Sequence, residues 1–132
     1  MKLWVIAALL VFAVPTQAAK DEVLDRLANV SYFAFGPIGY AGTTSRGERD
    51  YKSILARGSA PADFQKLFDE GNQQAKCYAL VGLHRLDPAR FARLVRPLRD
   101  SNEEVNMMRG CIVVHEVLGD VIKEIGSGKY AP

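Results

Sequence analysis

Few residues of this chain have side chains suited to acid, base or nucleophilic chemistry. His115 and Glu116 are neighbours, and His84 lies closer to the amino terminus. An imidazole can serve as a general base when a nucleophile stands within hydrogen-bonding reach. The chain has no Gly-x-Ser-x-Gly and no His-Glu-x-x-His motif, the patterns that bring such groups together in hydrolases. We therefore expect no catalytic residues. The alternative is a small envelope hydrolase or transferase that uses His115, Glu116 and the loop from Gly36 to Ser45.

Four arginines recur at three-residue intervals late in the chain. They are Arg90, Arg93, Arg96 and Arg99. On a helix they would share one side, opposite an apolar stripe that begins at Phe91. Guanidinium groups bind carboxylates and phosphates through forked hydrogen bonds. Two interpretations stay open: this side binds a partner, or it is a solvated helix face neutralised by the acidic residues that follow it.

The loop of residues 36–45 is rich in glycine and begins after two phenylalanines. It lacks the Gly-Lys-Ser/Thr ending of a phosphate-binding loop. One interpretation makes it a ligand-binding turn with Tyr40, Thr43 and Thr44 as polar contacts, and the other makes it a tight, ordered loop. Ser45 and Glu48 have the spacing of a capping box, which predicts a helix start there.

The first 18 residues are predicted to be a signal peptide. Lys2 precedes an apolar run over 3–14, and small residues follow at Thr16 and Ala18. The run is shorter than the roughly 20 residues that a membrane-spanning helix needs. We therefore expect cleavage, no transmembrane segment in the mature chain, a periplasmic or secreted location, and a single helical domain over 19–132.

Cys77 and Cys111 are the only two cysteines. An exported protein folds in an oxidising compartment, where thiols tend to pair. The sequence therefore predicts a disulfide between Cys77 and Cys111. The alternative is a metal site that adds His84 and His115, but the chain lacks the close Cys-x-x-Cys and His-x3-His spacings of such sites. We expect neither a metal nor another cofactor.

The spacing of apolar residues predicts an all-α fold, a compact bundle of five to six helices. The predicted helices span approximately 21–32, 45–57, 61–71, 73–86, 88–98 and 117–125. Asp87 followed by Pro88 is typical of a helix start and predicts a tight helical hairpin there. Residues 105–114 are either extended or helical, with one short strand or an early helical turn near 111–114, and the period alone does not decide between them.

Two sets of residues carry a resemblance to known proteins. The stretch 75–86, the turn at Asp87 and Pro88, and the stretch 91–98 resemble one HEAT-like helical repeat. Four further segments together resemble a group of small exported bacterial proteins with no assigned activity. These segments are Phe33-Ala-Phe-Gly36, Ala41-Gly-Thr-Thr-Ser45 with Glu48, Tyr78-Ala-Leu-Val-Gly-Leu83 and Met108-Arg-Gly-Cys-Ile112. The resemblance implies an exported helical protein and no catalytic residues.

The charge balance narrows the class of partner. The chain has 17 Lys and Arg against 15 Asp and Glu, a net charge of +2. Phosphate-driven affinity needs a concentrated positive surface, so we expect no nucleic-acid partner. The sequence favours a soluble, non-catalytic binding protein of the bacterial cell envelope that engages another envelope or secreted protein. An immunity or inhibitor protein is one form of this hypothesis, by analogy of size and fold.

Overall fold

A computed structural model of the chain describes residues 21–130. The predicted signal peptide, residues 1–18, lies outside the described residues. The described part contains six helices and two small antiparallel sheets. The helices are α1 (Glu22–Ala28), α2 (Arg46–Leu55), α3 (Ala60–Glu70), α4 (Gln73–Leu86), α5 (Pro88–Val95) and α6 (Leu118–Gly126). The strands are β1 (Pro37–Ile38), β2 (Thr43–Thr44), β3 (Glu104–Arg109) and β4 (Ile112–Val117).

The all-α prediction is wrong, because the fold is a helix-rich mixture of α and β structure. β3 and β4 form an antiparallel hairpin, and β1 pairs with β2 inside the glycine-rich loop. The β-branched residues at 112–114 suit a pleated strand better than a helix. Gly110 takes φ +59°, which a type II′ turn requires at its first central position. Residues 112–114 therefore belong to β4, and Cys111 lies in the turn before that strand. Residues 105–109, whose conformation the sequence left open, belong to β3.

Helix limits follow the local capping residues. The prediction of a helix over 73–86 is confirmed, and the Asn72 side chain accepts from the Ala75 N–H at 2.9 Å. α1 ends at Ala28 rather than near residue 32. Its last turn is closed by Asn72, whose N–H donates to the Ala28 carbonyl at 3.0 Å and whose Nδ2 donates to the Val30 carbonyl at 2.8 Å. The chain therefore leaves the helix and, beyond Val30, reaches Phe33, which bonds to β3.

α4 lies at the centre of the fold and contacts every other helix as well as β3. Its residues from Cys77 to Leu83 are all buried. Gly82 allows α3 to approach closely, since a Cβ added there would lie 2.4 Å from the Phe64 ring. The predicted hairpin of α4 and α5 is confirmed. Asp87 caps α5 by accepting from the Arg90 N–H at 3.2 Å, and a 3₁₀ turn over Arg96–Leu98 extends that helix.

A buried tyrosine of α4 holds the loop that precedes α2. The Tyr78 hydroxyl donates to the Ala34 carbonyl at 2.9 Å and accepts from the Ala34 N–H at 3.0 Å. Gly47 of α2 lies against the same hydroxyl, and a Cβ on Gly47 would stand 2.5 Å from it. The Tyr78 ring also packs edge-on against Phe33, with centroids 4.9 Å apart. The loop and the start of α2 are therefore positioned by one side chain.

An ion pair joins the start of α1 to the turn after α2. Arg57 donates to both carboxylate oxygens of Asp21, at 2.6 and 3.2 Å. Asp21 is also the N-cap of α1 and accepts from the Leu24 N–H at 3.2 Å. The hydrogen bonds from Arg57, together with that from the Leu24 amide, hold the pKa of Asp21 below its usual value although partial burial acts in the opposite direction.

We expect Tyr78→Phe to lower the free energy of unfolding by about 1–3 kcal/mol, because the buried Ala34 N–H would lose its acceptor. Chemical denaturation of the two proteins measures the difference. Tyr40→Phe is the matched control, since the Tyr40 side chain is fully exposed at 103% and its hydroxyl has no partner among residues 21–130. Equal losses in the two variants would contradict the role assigned to Tyr78.

We expect Arg57→Gln to destabilise the fold by ~1 kcal/mol at pH 7, a small value because solvent screens both partly exposed side chains. The folded-state pKa of Asp21 is lowered, so the ion pair stabilises above the unfolded pKa of about 3.9. That stabilisation disappears as the pH falls through the lower, folded-state pKa. Denaturation at pH 7 and pH 2 should show the difference between variant and wild type shrinking at pH 2.

Arg49→Gln serves as the control for this experiment, because Arg49 donates to the Thr44 carbonyl rather than to a carboxylate. The effect of that substitution should not depend on pH in this range. Arg57 also lies 3.4 Å from the Asp63 carboxylate. A difference between Arg57→Gln and wild type that is the same at both pH values would show that neither carboxylate is the group involved.

Candidate functional site

Most of the large apolar side chains that remain exposed lie on one part of the molecule. Five such side chains occur in the described residues, and four of them belong to β4 or to the loop beside its hairpin turn. They are Tyr40 at 103% exposure, Ile112 at 65%, Val113 at 48% and Val117 at 38%. Scattered exposed apolar residues are ordinary, whereas clustered ones mark interaction sites. Val113 and Val117 lie on one face of β4, and Ile112 projects to the other face beside the turn. We call this group the hairpin surface.

Two turns meet at one end of the hairpin surface. The Gly39 N–H donates to the Gly110 carbonyl at 2.8 Å. This bond places the β1–β2 turn, which carries Tyr40, beside the β3–β4 turn, which leads into Ile112. Gly39 has φ +70°, a left-handed conformation that glycine adopts without strain. The glycines of the loop therefore shape the turn that presents Tyr40.

The backbone of β4 has an open edge. Asn106 of β3 lies opposite His115, yet the Asn106 carbonyl accepts from the Phe33 N–H at 2.8 Å. The Asn106 N–H donates to Gln74 Oε1 at 3.3 Å. In an antiparallel pair, opposed residues alternate between exchanging both backbone bonds and exchanging none. His115, and by the same alternation Val113, therefore direct their N–H and C=O groups away from β3.

The side chains at this edge also share one face of the hairpin. Opposed residues of paired strands lie on the same face, so Val113, His115 and Val117 lie opposite the face of the buried Val105 and Met107. All three are exposed. Within the described part of the chain, β4 pairs with β3 alone. The free edge of β4 therefore carries unpaired backbone N–H and C=O groups. The side chains on the adjacent exposed face are mostly apolar.

The two residues of the enzymatic alternative, His115 and Glu116, project from opposite faces of β4. His115 lies on the exposed face, where Nδ1 is 2.6 Å from Asn106 Oδ1. Glu116 points to the other face and accepts from Arg109 Nη2 at 2.9 Å. Consecutive residues of a strand project to opposite faces. The structure therefore does not bring His115 and Glu116 together on one face of the strand, and the enzymatic alternative remains a prediction.

The arginines predicted to share a helix face differ in their surroundings. Arg90 Nε lies 3.3 Å from the Asp87 carboxylate, and its Nη1 donates to the Pro61 carbonyl at 3.3 Å. The other three are exposed and have no ion pair with any residue between 21 and 130. Arg99 and Val117 line the same shallow cavity of about 290 Å³. The arginine face therefore continues into the hairpin surface at its base. The three unpaired arginines are Arg93, Arg96 and Arg99.

The predicted polar contacts of the glycine-rich loop lie in the β1–β2 hairpin. Thr43 and Thr44 form β2 and are exposed, and the Thr44 carbonyl accepts from Arg49. The capping box is half confirmed. Ser45 Oγ accepts from the Glu48 N–H at 3.0 Å, but Glu48 Oε2 accepts from the Gly36 N–H at 3.1 Å instead of turning back to Ser45. The Glu48 carboxylate therefore ties the loop to α2.

The predicted disulfide between Cys77 and Cys111 is not formed, and both cysteines are free. Cys77 is fully buried in α4, whereas Cys111 is exposed in the hairpin turn. Burial raises the pKa of the Cys77 thiol to about 12. The packing of α4 at the centre of the core holds Cys77 away from the surface turn. Cys77 therefore acts as a small apolar core residue.

No metal cluster or membrane-spanning helix is found in the described residues. Between residues 21 and 130, no three side chains of His, Cys, Asp or Glu come together as metal ligands. In the same range, no helix has the length and apolar content to cross a bilayer. His84 packs edge-on against Phe91, with ring centroids 4.9 Å apart, so its contact is with the apolar side of the α4–α5 hairpin.

Comparison of the chain with family models, with curated proteins and with solved structures gives no match in any of the three. The resemblance to small exported proteins therefore remains a hypothesis.

We expect a thiol reagent to modify one cysteine, Cys111, in the native protein and two in the unfolded protein. Cys111 is exposed, and Cys77 is buried with a pKa of about 12, so Cys77 has almost no reactive thiolate near pH 8. Mass spectrometry of the protein labelled with and without denaturant counts the modified thiols. Cys111→Ser should abolish native labelling. A native protein that takes up no label would contradict a free Cys111 and would support the predicted disulfide.

Proposed function

We propose that this chain is a non-catalytic binding protein of the bacterial cell envelope that engages another protein through the hairpin surface. The observation that carries the proposal is the open edge of β4, with outward backbone groups at Val113 and His115 and exposed apolar side chains around them. The envelope location rests on the predicted signal peptide. An immunity or inhibitor role is a narrower form of the same proposal.

The mode of binding that this edge supports is strand addition. An extended segment of a partner can pair with the free N–H and C=O groups of Val113 and His115. Its alternate side chains would pack on Val113 and Val117, which lie on one face. Backbone bonds supply affinity in this mode, and the alternating side chains supply specificity. Tyr40 at the tip adds an aromatic anchor of the kind enriched in interfaces.

The unpaired arginines indicate where a partner segment would be acidic. At the base of the hairpin surface, Arg99 lies in a cavity that Asp100 and Asp120 also line, so the charge there is mixed. Arg96 and Arg93 continue from Arg99 along the same helical segment and have no acidic partner among the described residues. A partner segment with apolar residues at alternate positions along β4, followed by carboxylates that reach Arg96 and Arg93, would complement this surface.

Val113→Pro tests the proposal directly. The Val113 N–H points away from β3, so proline removes an outward donor without removing a bond of the hairpin. The probe is a displayed library of ten-residue peptides, selected on the wild-type protein. We expect the enriched peptides to have alternating apolar residues and to lose at least tenfold in affinity for Val113→Pro. Binding of one such peptide is measured by fluorescence anisotropy.

Two matched variants sharpen this test. Val113→Thr retains the N–H and a β-branched side chain, and it should bind within a few-fold of wild type. Arg93→Glu combined with Arg96→Glu should weaken acidic peptides and reduce the salt dependence of their binding. Unchanged affinity in Val113→Pro would refute strand addition. Sedimentation that shows wild-type self-association, lost in Val113→Pro, would mean that the occupant is a second copy, contrary to the proposal.

A further inference from the structure

A second feature, away from the β4 edge, is a cavity of about 370 Å³ between α2 and the end of the described chain. Cavities that hold small ligands span about 300–1,000 Å³, so this one has room for a compact molecule. Its walls are formed mainly by aromatic rings and aliphatic carbons. The ring-bearing residues are Phe35, Tyr51 and Tyr130, and Leu55 completes the apolar wall.

The aromatic walls of the cavity are fixed by their own packing. Phe35 contacts Tyr51 edge-on at 5.1 Å between centroids and Tyr130 at 5.7 Å. Tyr51 is buried. The Tyr130 hydroxyl donates to Glu124 at 2.5 Å, and burial together with this bond raises the pKa of Tyr130. A ligand would meet rings that are already held in place, which lowers the entropic cost of binding.

Each lysine of the cavity is paired with one carboxylate but keeps free N–H groups. Its lining includes Lys52, Lys129 and Glu48. Glu48 is buried, and its two oxygens already bond to the Gly36 N–H and pair with Lys52 at 3.1 and 3.3 Å. Lys129 pairs with Glu124 at 2.8 Å. An ammonium has three donors, so each lysine retains N–H groups for an anion at the cavity mouth.

We propose that this cavity binds a planar aromatic carboxylate, with its ring among Phe35, Tyr51 and Tyr130 and its acid group on Lys52 and Lys129. A ring is favoured because edge-on and offset contacts with three aromatic side chains exceed what a saturated group of equal area gains. An acid is favoured over a cation because Lys52 and Lys129 keep free N–H donors, whereas both oxygens of Glu48 are already bonded. This proposal does not depend on the hairpin surface.

The probe is 2-naphthoate, titrated into the purified protein by isothermal calorimetry. We expect one-to-one binding with a Kd below about 1 mM. The neutral 2-naphthamide tests the acid group, and the saturated decahydro-2-naphthoate tests the ring. Each should bind at least tenfold more weakly than 2-naphthoate. Equal affinity of the amide or of the saturated acid would overturn the assigned ligand class.

Substitutions locate the site. Lys52→Gln combined with Lys129→Gln should weaken 2-naphthoate at least tenfold while leaving 2-naphthamide unchanged, and Lys66→Gln is the matched control on α3. Leu55→Trp should fill the cavity and abolish binding, with circular dichroism as the check on folding. Because the lysine variants change exposed ammonium groups, they remain decisive if the filled variant does not fold.

The outcomes separate this proposal from the one on the hairpin surface. Val113→Pro should bind 2-naphthoate as the wild type does. Loss of 2-naphthoate binding in Val113→Pro, retention in the double lysine variant, or no binding by the wild type up to the solubility limit of the probe would each overturn the cavity proposal. None of these results bears on strand addition to β4, which is measured with peptides.

Discussion

The two hydrogen bonds between the Tyr78 hydroxyl and the Ala34 backbone organise much of what surrounds them. They satisfy a buried amide and carbonyl that no strand or helix would pair. They also fix the chain just after Phe33, the residue that bonds to β3 through Asn106 and Met108. The close approach of Gly47 to Tyr78 sets α2 against the same point. The glycine-rich loop, the β3–β4 hairpin and the start of α2 are therefore all positioned by Tyr78 of α4.

Helices were the predictable part of this fold because their signals are local. Asn72 and Asp87 cap α4 and α5 through side-chain bonds to amides three residues ahead, and such spacing is visible in the sequence. The sequence left the β3–β4 region undecided because β3 mixes two methionines with polar residues. Such a strand has no clear period, and its pairing with β4 depends on tertiary contacts.

The candidate sites were predicted only in part, for related reasons. Tyr40, Thr43 and Thr44 were singled out from composition, and the bond from Gly39 to Gly110 that brings their hairpin to the β3–β4 turn joins distant segments. The disulfide was inferred from the compartment alone, which says nothing about the depth of Cys77 in the core. The cavity beside α2 gathers side chains from three separate stretches of chain, so no local pattern could indicate it.

The sheet that carries the open edge of β4 is closed on its other side. Phe33 forms a parallel bridge to Met107, and Gln74 takes the neighbouring Asn106 amide, so β3 has little backbone left to offer in the described residues. A sheet with two free edges can keep adding strands and grow into a fibre. If two copies of this chain paired through their β4 edges, the joined sheet would end at two molecules, because the far side of each sheet is already occupied by the protein's own loop. The loop at Phe33 therefore guards the protein against open-ended polymerisation of its own copies.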